Sequence, residues 1–182
     1  MKKLLLLSGL ACGTICYAQK FELSAGYGAP SIYGITNELG SDIVSIATND
    51  GSPGAHGTFA AAAMIYNNSG RWRFGLDYAT EFFDKDNTNY TKKTTTAIMP
   101  SIDHFWSAQD KRLRFYSGIA AGVYLNKATV KDESGKEDKL DQTLFGFNLT
   151  PIGLRYGRDF SVFLEANVGT LGLAQAGLSY IF

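Results

Sequence analysis

The sequence predicts an all-β fold, an eight-stranded antiparallel up-and-down transmembrane β-barrel with both termini on the periplasmic side. Three observations predict it. Beyond residue 18 the chain reads as eight segments in which apolar and polar residues alternate with period two, as in strands with two unlike faces. The connections sort by parity: tight turns follow the second, fourth and sixth segments, and longer polar stretches follow the first, third and fifth. Every later apolar run meets a Gly, a Pro or a charge within about a dozen residues, short of the roughly 20 a spanning helix needs. A membrane location therefore requires a closed barrel.

Residues 1–18 read as a cleavable secretory leader. Lys2 and Lys3 give a positive start, Leu4 to Leu7 begin an apolar stretch reaching Ile15, and Cys16-Tyr17-Ala18 sets up cleavage after Ala18. Cys12 and Cys16 both lie inside that leader, so the barrel domain, residues 19–182, is expected to carry no disulfide or thiol chemistry. The whole chain has 17 basic and 17 acidic side chains; removing Lys2 and Lys3 leaves 15 against 17, a net charge near −2. No basic cluster of the kind nucleic-acid binding demands is present.

The first strand is read over Phe21 to Ala29, with Phe21, Leu23, Ala25 and Tyr27 on one face and Glu22, Ser24, Gly26 and Gly28 on the other. Pro30 to His56 departs from this grammar. Ile32, Ile35, Leu39, Ile43 and Ile46 recur at spacings of three and four, which fits a short amphipathic helix capping the mouth or lying at the membrane surface. Gly40 interrupts that pattern, and a structured outer loop packed on itself fits equally well. The second strand, Gly57 to Tyr66, is rich in alanine and ambiguous in phase. Asn67-Asn68-Ser69-Gly70 turns the chain. The third strand runs from Arg71 to Phe83, a polar loop from Asp84 to Lys92, and the fourth strand from Lys93 to Trp106. After a turn at Ala108 to Lys111 the fifth strand covers Arg112 to Lys127, followed by the charged loop Lys131 to Asp141. The sixth spans Gln142 to Tyr156, with a phase change at Pro151 that indicates a bulge. Gly157-Arg158-Asp159 is a further tight turn. The seventh strand runs from Phe160 to Gly169, a short external link surrounds Leu171, and Leu173 to Phe182 forms the eighth.

The two faces differ in chemistry. One carries Phe74, Leu76, Tyr78, Ile98, Ile119, Val123, Val162 and Leu164 and no charge at mid-strand. The other carries Glu22, Arg73, Asp77, Glu81, Asp103, Arg114, Arg155 and Glu165. A water-soluble barrel would turn the apolar face inward. A bilayer reverses this, because a lipid-facing Arg or Lys costs about 2–4 kcal/mol near the midplane. The eight charges are accordingly assigned to the lumen, as a network of five acids and three bases that pair because isolated buried charges are costly. Gly118, Ala120 and Gly122 share that face, where an eight-stranded interior is cramped. Trp72, Phe82, Phe83, Trp106 and Tyr156 gather near strand ends, like the aromatic girdles of membrane barrels.

The final strand alternates through Ala174, Ala176, Leu178 and Tyr180 to a terminal Phe182. This resembles the C-terminal assembly signal of outer-membrane barrels. Together with the leader, the Gly- and aromatic-rich strands and the unequal connections, it makes residues 19–182 resemble the small eight-stranded barrels of the OmpX, OmpW and OmpA-transmembrane-domain type. The resemblance implies the outer membrane of a Gram-negative envelope, outer-membrane lipids as neighbours, and recognition of Leu178, Tyr180 and Phe182 by the barrel-insertion machinery. It specifies a fold and no ligand, and it implies no cofactor.

Other chemistry has weaker support in the residues. His56, with Asp50 and Ser52 nearby in sequence, lacks the surroundings of an acyl-transfer site, and His104 beside Trp106 reads as a girdle residue. Asp84, Asp86, Thr88 and Asn89 are oxygen-rich but lack the Gly and distant Glu of a calcium loop. Gly26 to Gly28 is not followed by the helix a phosphate loop requires. Three function classes stay open: a non-enzymatic structural or surface-binding protein, which is expected; a narrow channel for small or hydrophobic solutes; and a lipid-modifying enzyme. A wide diffusion pore would need about 16 strands.

Overall fold

Alternation and turn chemistry translate directly into eight strands. The structure, a computed structural model, describes residues 20–35, 55–83, 90–131 and 137–182. The expected leader and residues 36–54 lie outside the described residues. The strands are β1 (Phe21–Gly28), β2 (Ala55–Tyr66), β3 (Trp72–Phe83), β4 (Tyr90–Phe105), β5 (Leu113–Lys131), β6 (Glu137–Gly157), β7 (Phe160–Gly169) and β8 (Ala174–Ile181). Each pairs antiparallel with its neighbour in sequence, and β8 pairs with β1, so the sheet closes into an up-and-down barrel. At the seam the register runs from Glu22 opposite Ile181 to Gly28 opposite Gln175, and the Phe182 amide donates to the Phe21 carbonyl at 2.8 Å.

The short connections gather at one end. The Gly70 amide donates to the Asn67 carbonyl at 2.9 Å, with Gly70 at φ +63°, a conformation that glycine adopts freely. This end also holds the β4–β5 and β6–β7 turns and both ends of the described chain. The opposite end carries the connections after β1, β3, β5 and β7. Its rim is oblique: β4, β5 and β6 have 16, 19 and 21 residues, whereas β1, β7 and β8 have 8, 10 and 8.

The outer wall is apolar. Leu23, Phe74, Leu76, Ile98, Ile119, Val162, Leu164 and Leu178 all point away from the lumen and are exposed. Aromatic rings mark two levels, with Trp72, Trp106, Tyr156 and Phe160 near the turns and Tyr27, Phe59 and Phe82 near the loops. From Trp72 to Phe82 the chain climbs ten residues of β3. At about 3.3 Å each, tilted by about 45°, that is roughly 23 Å, close to the ~25 Å apolar band of membrane barrels.

The inner wall is filled by pairing large side chains with glycines on the adjoining strand. Met64 lies opposite Gly75, Asp103 opposite Gly118 and Tyr116 opposite Gly153. Phe163 reaches across Gly177 to Gly26, and these two glycines are themselves paired across the β1–β8 seam. A Cβ added at Gly153 would enter the Tyr116 ring. Gly153→Val is therefore expected to cost about 1–3 kcal/mol by overpacking, read from the urea midpoint of the barrel folded in micelles.

The structure settles or corrects several expectations. The alanine-rich β2 turns Thr58, Ala60, Met64 and Tyr66 inward and Phe59 outward. The bulge at Pro151 is present: the register shifts between Leu149 and Ile152, and the Pro151 carbonyl accepts from the Ser117 hydroxyl at 2.7 Å. The charged stretch Lys131 to Asp141 is not all loop. Its flanks continue the β5–β6 ladder, with Lys127 opposite Asp141 and Lys131 opposite Glu137, and opposite charges across a ladder favour pairing in water. Tyr90 to Lys92, assigned to the preceding polar loop, likewise belong to β4. Of the 30–56 segment, residues 32–35 form one helical turn and Ala55 and His56 begin β2. Whether a longer helix exists lies outside the described residues. The link around Leu171 dips inward, and Leu171 itself is buried in the lumen.

Candidate functional site

Inward positions of β1, β3, β4 and β6 converge near the turn end on one ion-paired group. Arg73 Nη1 donates to Glu22 Oε1 at 2.5 Å and Arg73 Nε to Asp103 Oδ2 at 2.7 Å. Glu22 Oε2 accepts from the Tyr66 hydroxyl at 2.5 Å and lies 3.3 Å from Arg155 Nη2. Glu22 is 0% exposed and Arg73 is 6% exposed. Both oxygens of Glu22 thus have partners, which is what a buried carboxylate requires. Phe105 sits between two guanidiniums, with Arg114 3.7 Å and Arg73 5.3 Å from its ring centre. With Tyr66 and Tyr116 it forms a floor across the barrel.

Above the floor the lumen is polar. The Tyr116 hydroxyl donates to Glu165 at 2.5 Å. Asn148 and Thr150 both donate to Asn167 Oδ1, at 3.1 and 2.6 Å, which ties β6 to β7 beside the bulge. A cavity of about 40 Å³ remains, bordered by Asp77, Asp103, Glu165, Arg73, Met64 and Phe163. That is room for a few water molecules and for nothing the size of a metabolite.

Two connections enter the loop end of the lumen. Chain leaving β1 folds back into the mouth, where the Ser31 amide and hydroxyl donate to the Glu81 carboxylate at 2.7 and 2.9 Å. Tyr33 stacks on Tyr124 with ring centres 4.8 Å apart. The row Ala60, Ala79, Ala97 gives it space: these alanines occupy adjoining positions on β2, β3 and β4 and pack with Met99, Ala120, Tyr124 and Leu171. From the other side the β7–β8 link contributes Leu171, whose amide donates to Asn148 Oδ1 at 3.3 Å, and Gln175, which bonds the Leu171 carbonyl.

The eight charged residues singled out from the sequence therefore all face the lumen but do not make one network. Glu22, Arg73, Asp103 and Arg155 form the ion-paired group. Arg114 stacks beside it, Glu165 bonds a tyrosine, Asp77 borders the cavity, and Glu81 holds the Ser31 turn at the far end. The inward aromatics Tyr66, Phe105 and Tyr116 were not anticipated as a floor, although strict alternation from Asp103 puts Phe105 on its face. Leu178, Tyr180 and Phe182 lie exposed on the outer wall of β8 and the segment that ends it, with the Tyr180 and Phe182 rings 4.8 Å apart. His104 lies between Trp72 and Trp106 at 4.5 and 4.7 Å. His56 is exposed at the start of β2, and Asp50, Ser52, Asp84, Asp86, Thr88 and Asn89 lie outside the described residues. Among the described residues, no three His, Cys, Asp or Glu side chains come together as a metal site, and no helix is long and apolar enough to cross a membrane.

The crystal structure of the N-terminal β-barrel domain of Pseudomonas aeruginosa OprF matches this chain with a TM-score of 0.54 at 12% identity, over 91% of this chain and 98% of that one. The fold is that of the OprF N-terminal barrel. The structure of Neisserial surface protein A, NspA, is also similar, with a TM-score of 0.49 at 17% identity over 90% of this chain and 94% of that one. No family model and no curated protein sequence matches this chain. What the OprF-type fold supplies here is the closed frame of eight strands. The floor, the cavity and the inward turn at Ser31 are built by this chain's own side chains.

Proposed function

We propose that this protein is an outer-membrane barrel with a closed lumen, a non-enzymatic structural or surface-binding element of the Gram-negative envelope. Its tight turns and termini face the periplasm and its long connections face outward. The observation that carries this reading is the inverted wall: exposed Phe74, Leu76, Ile119 and Val162 outside, with Glu22, Arg73, Asp103 and Arg155 buried and ion-paired inside. Hydrocarbon favours that distribution and water opposes it. The unequal connections support this orientation, since membrane barrels place short turns on the periplasmic side. Leu178, Tyr180 and Phe182 are the residues through which the insertion machinery would recognise the chain, and outer-membrane lipids are its surroundings.

A narrow channel would have to breach both the floor at Phe105 and the closure at Tyr33 and Leu171. The barrel reconstituted in planar bilayers is therefore expected to show no conductance steps above baseline, and liposomes carrying it should retain a small entrapped dye. The same sample should show heat-modifiable gel mobility and β-type circular dichroism. A steady open pore in folded protein would refute the closed lumen.

A further inference from the structure

At the turn end, below the floor, the barrel opens into a cup of about 330 Å³, within the lower range of small-molecule sites. Lys20, Lys111, Arg114, Arg155 and Arg158 line it, against two acids, Asp110 and Asp159. Two of these cations are not ordinary surface groups, since Arg114 and Arg155 are each 2% exposed. Arg155 is accounted for by Glu22, by the Ser179 hydroxyl and by the Arg158 carbonyl. Arg114 is not. Its Nη2 donates to the Gly70 carbonyl at 2.5 Å and its plane lies over Phe105, but its buried Nε has no hydrogen-bond partner. Among the described residues no carboxylate lies within ion-pair distance of it.

A buried guanidinium without counter-charge is costly. Here the cost sits beside a recess whose rim adds further positive charge. Guanidinium is the side chain suited to planar, two-point recognition of oxyanions. We propose that the turn-face cup binds a phosphate-type oxyanion, with Arg114 and Arg155 at its base and Lys111 and Arg158 at its rim. The cup lies inside the strand ring rather than on the lipid-facing wall, so a free phosphate group fits it, and a phospholipid headgroup brings the same chemistry from the adjoining leaflet.

The test uses the full chain folded in dodecyl maltoside micelles, which contain no phosphate, with heat-modifiable mobility verifying the fold of every variant. Inorganic phosphate is titrated by calorimetry at low ionic strength, and dihexanoyl phosphatidate in a parallel arm. Saturable binding of inorganic phosphate, weakened about tenfold or more in Arg114→Met, supports a free oxyanion, as does loss of binding on adding salt. Binding of phosphatidate alone, with the same loss in Arg114→Met, supports the site with a headgroup as its source. A Lys111→Gln/Arg158→Gln double variant changes only exposed rim side chains and is expected to lose binding several-fold, which decides the matter if Arg114→Met does not fold. No binding of either probe, or binding indifferent to these substitutions, overturns the proposal.

Discussion

Replacing Arg73 with alanine is expected to destabilise the folded barrel by about 3–5 kcal/mol, the cost of stranding buried charges whose partner is removed. Arg73 is the only bridge between Glu22 and Asp103 in the ion-paired group: one nitrogen serves each carboxylate, at 2.5 and 2.7 Å. Its loss leaves Asp103 Oδ2 and Glu22 Oε1 without their guanidinium, beside a cavity with space for only a few waters. It also removes the cation above Phe105 and Tyr116. The measurement is urea unfolding of variants folded in lipid vesicles. The double variant Arg73→Met, Asp103→Asn, which leaves Glu22 paired with Arg155, should recover much of the loss, because removing a buried cation together with its carboxylate is far cheaper than removing the cation alone. A cost below about 1 kcal/mol for Arg73→Ala would place the group with weak surface pairs and contradict the burial described above.

The second large effect lies on the opposite side of the same strand. Leu76 is exposed on the outer wall midway between Trp72 and Phe82, with Ala63 and Pro100 as its cross-strand neighbours. Leu76→Arg is expected to cost about 2–4 kcal/mol for folding into vesicles. In water a charge at an exposed strand position would change stability by no more than about 0.5 kcal/mol. The substitution thus separates the two solvents that can surround this wall. A wild-type chain that folds as a monomer in plain buffer, and a Leu76→Arg variant of equal stability, would remove the membrane reading altogether.

Strand number, the strand ends at the tight turns and the turns themselves were legible because each is a local property. Period-two alternation fixes which residues share a wall, and Asn-Asn-Ser-Gly or Gly-Arg-Asp marks where a chain reverses. The bounds of β7 follow from Phe160 and Gly169 alone. Three things were not local. Alanines at 60 to 63 carry no contrast between faces, so the phase of β2 is decided only when Met64 meets Gly75 and Tyr66 meets Glu22. The flanks of the 131–141 charge run read as loop because charge usually marks solvent. Across a ladder, though, Lys127 and Asp141 attract, and a hairpin can extend into water on such pairs. The closure at the mouth depends on Tyr33, from the β1–β2 connection, finding Tyr124 on β5, a meeting that no window of sequence contains. Alternation likewise shows which charges look inward, while the division into an ion-paired group, a stacked arginine and a separate Glu81 appears only in three dimensions.

Phe163 leaves β7, crosses β8 above Gly177 and ends over Gly26 of β1. It works as a keystone. Its ring finds a seat only when the first and last staves of the cask stand side by side. A half-zipped seam would leave the ring bare and the two glycines with nothing above them. Joining the ends and filling the middle are therefore one event, and a cylinder of this kind has no comfortable state between open and shut.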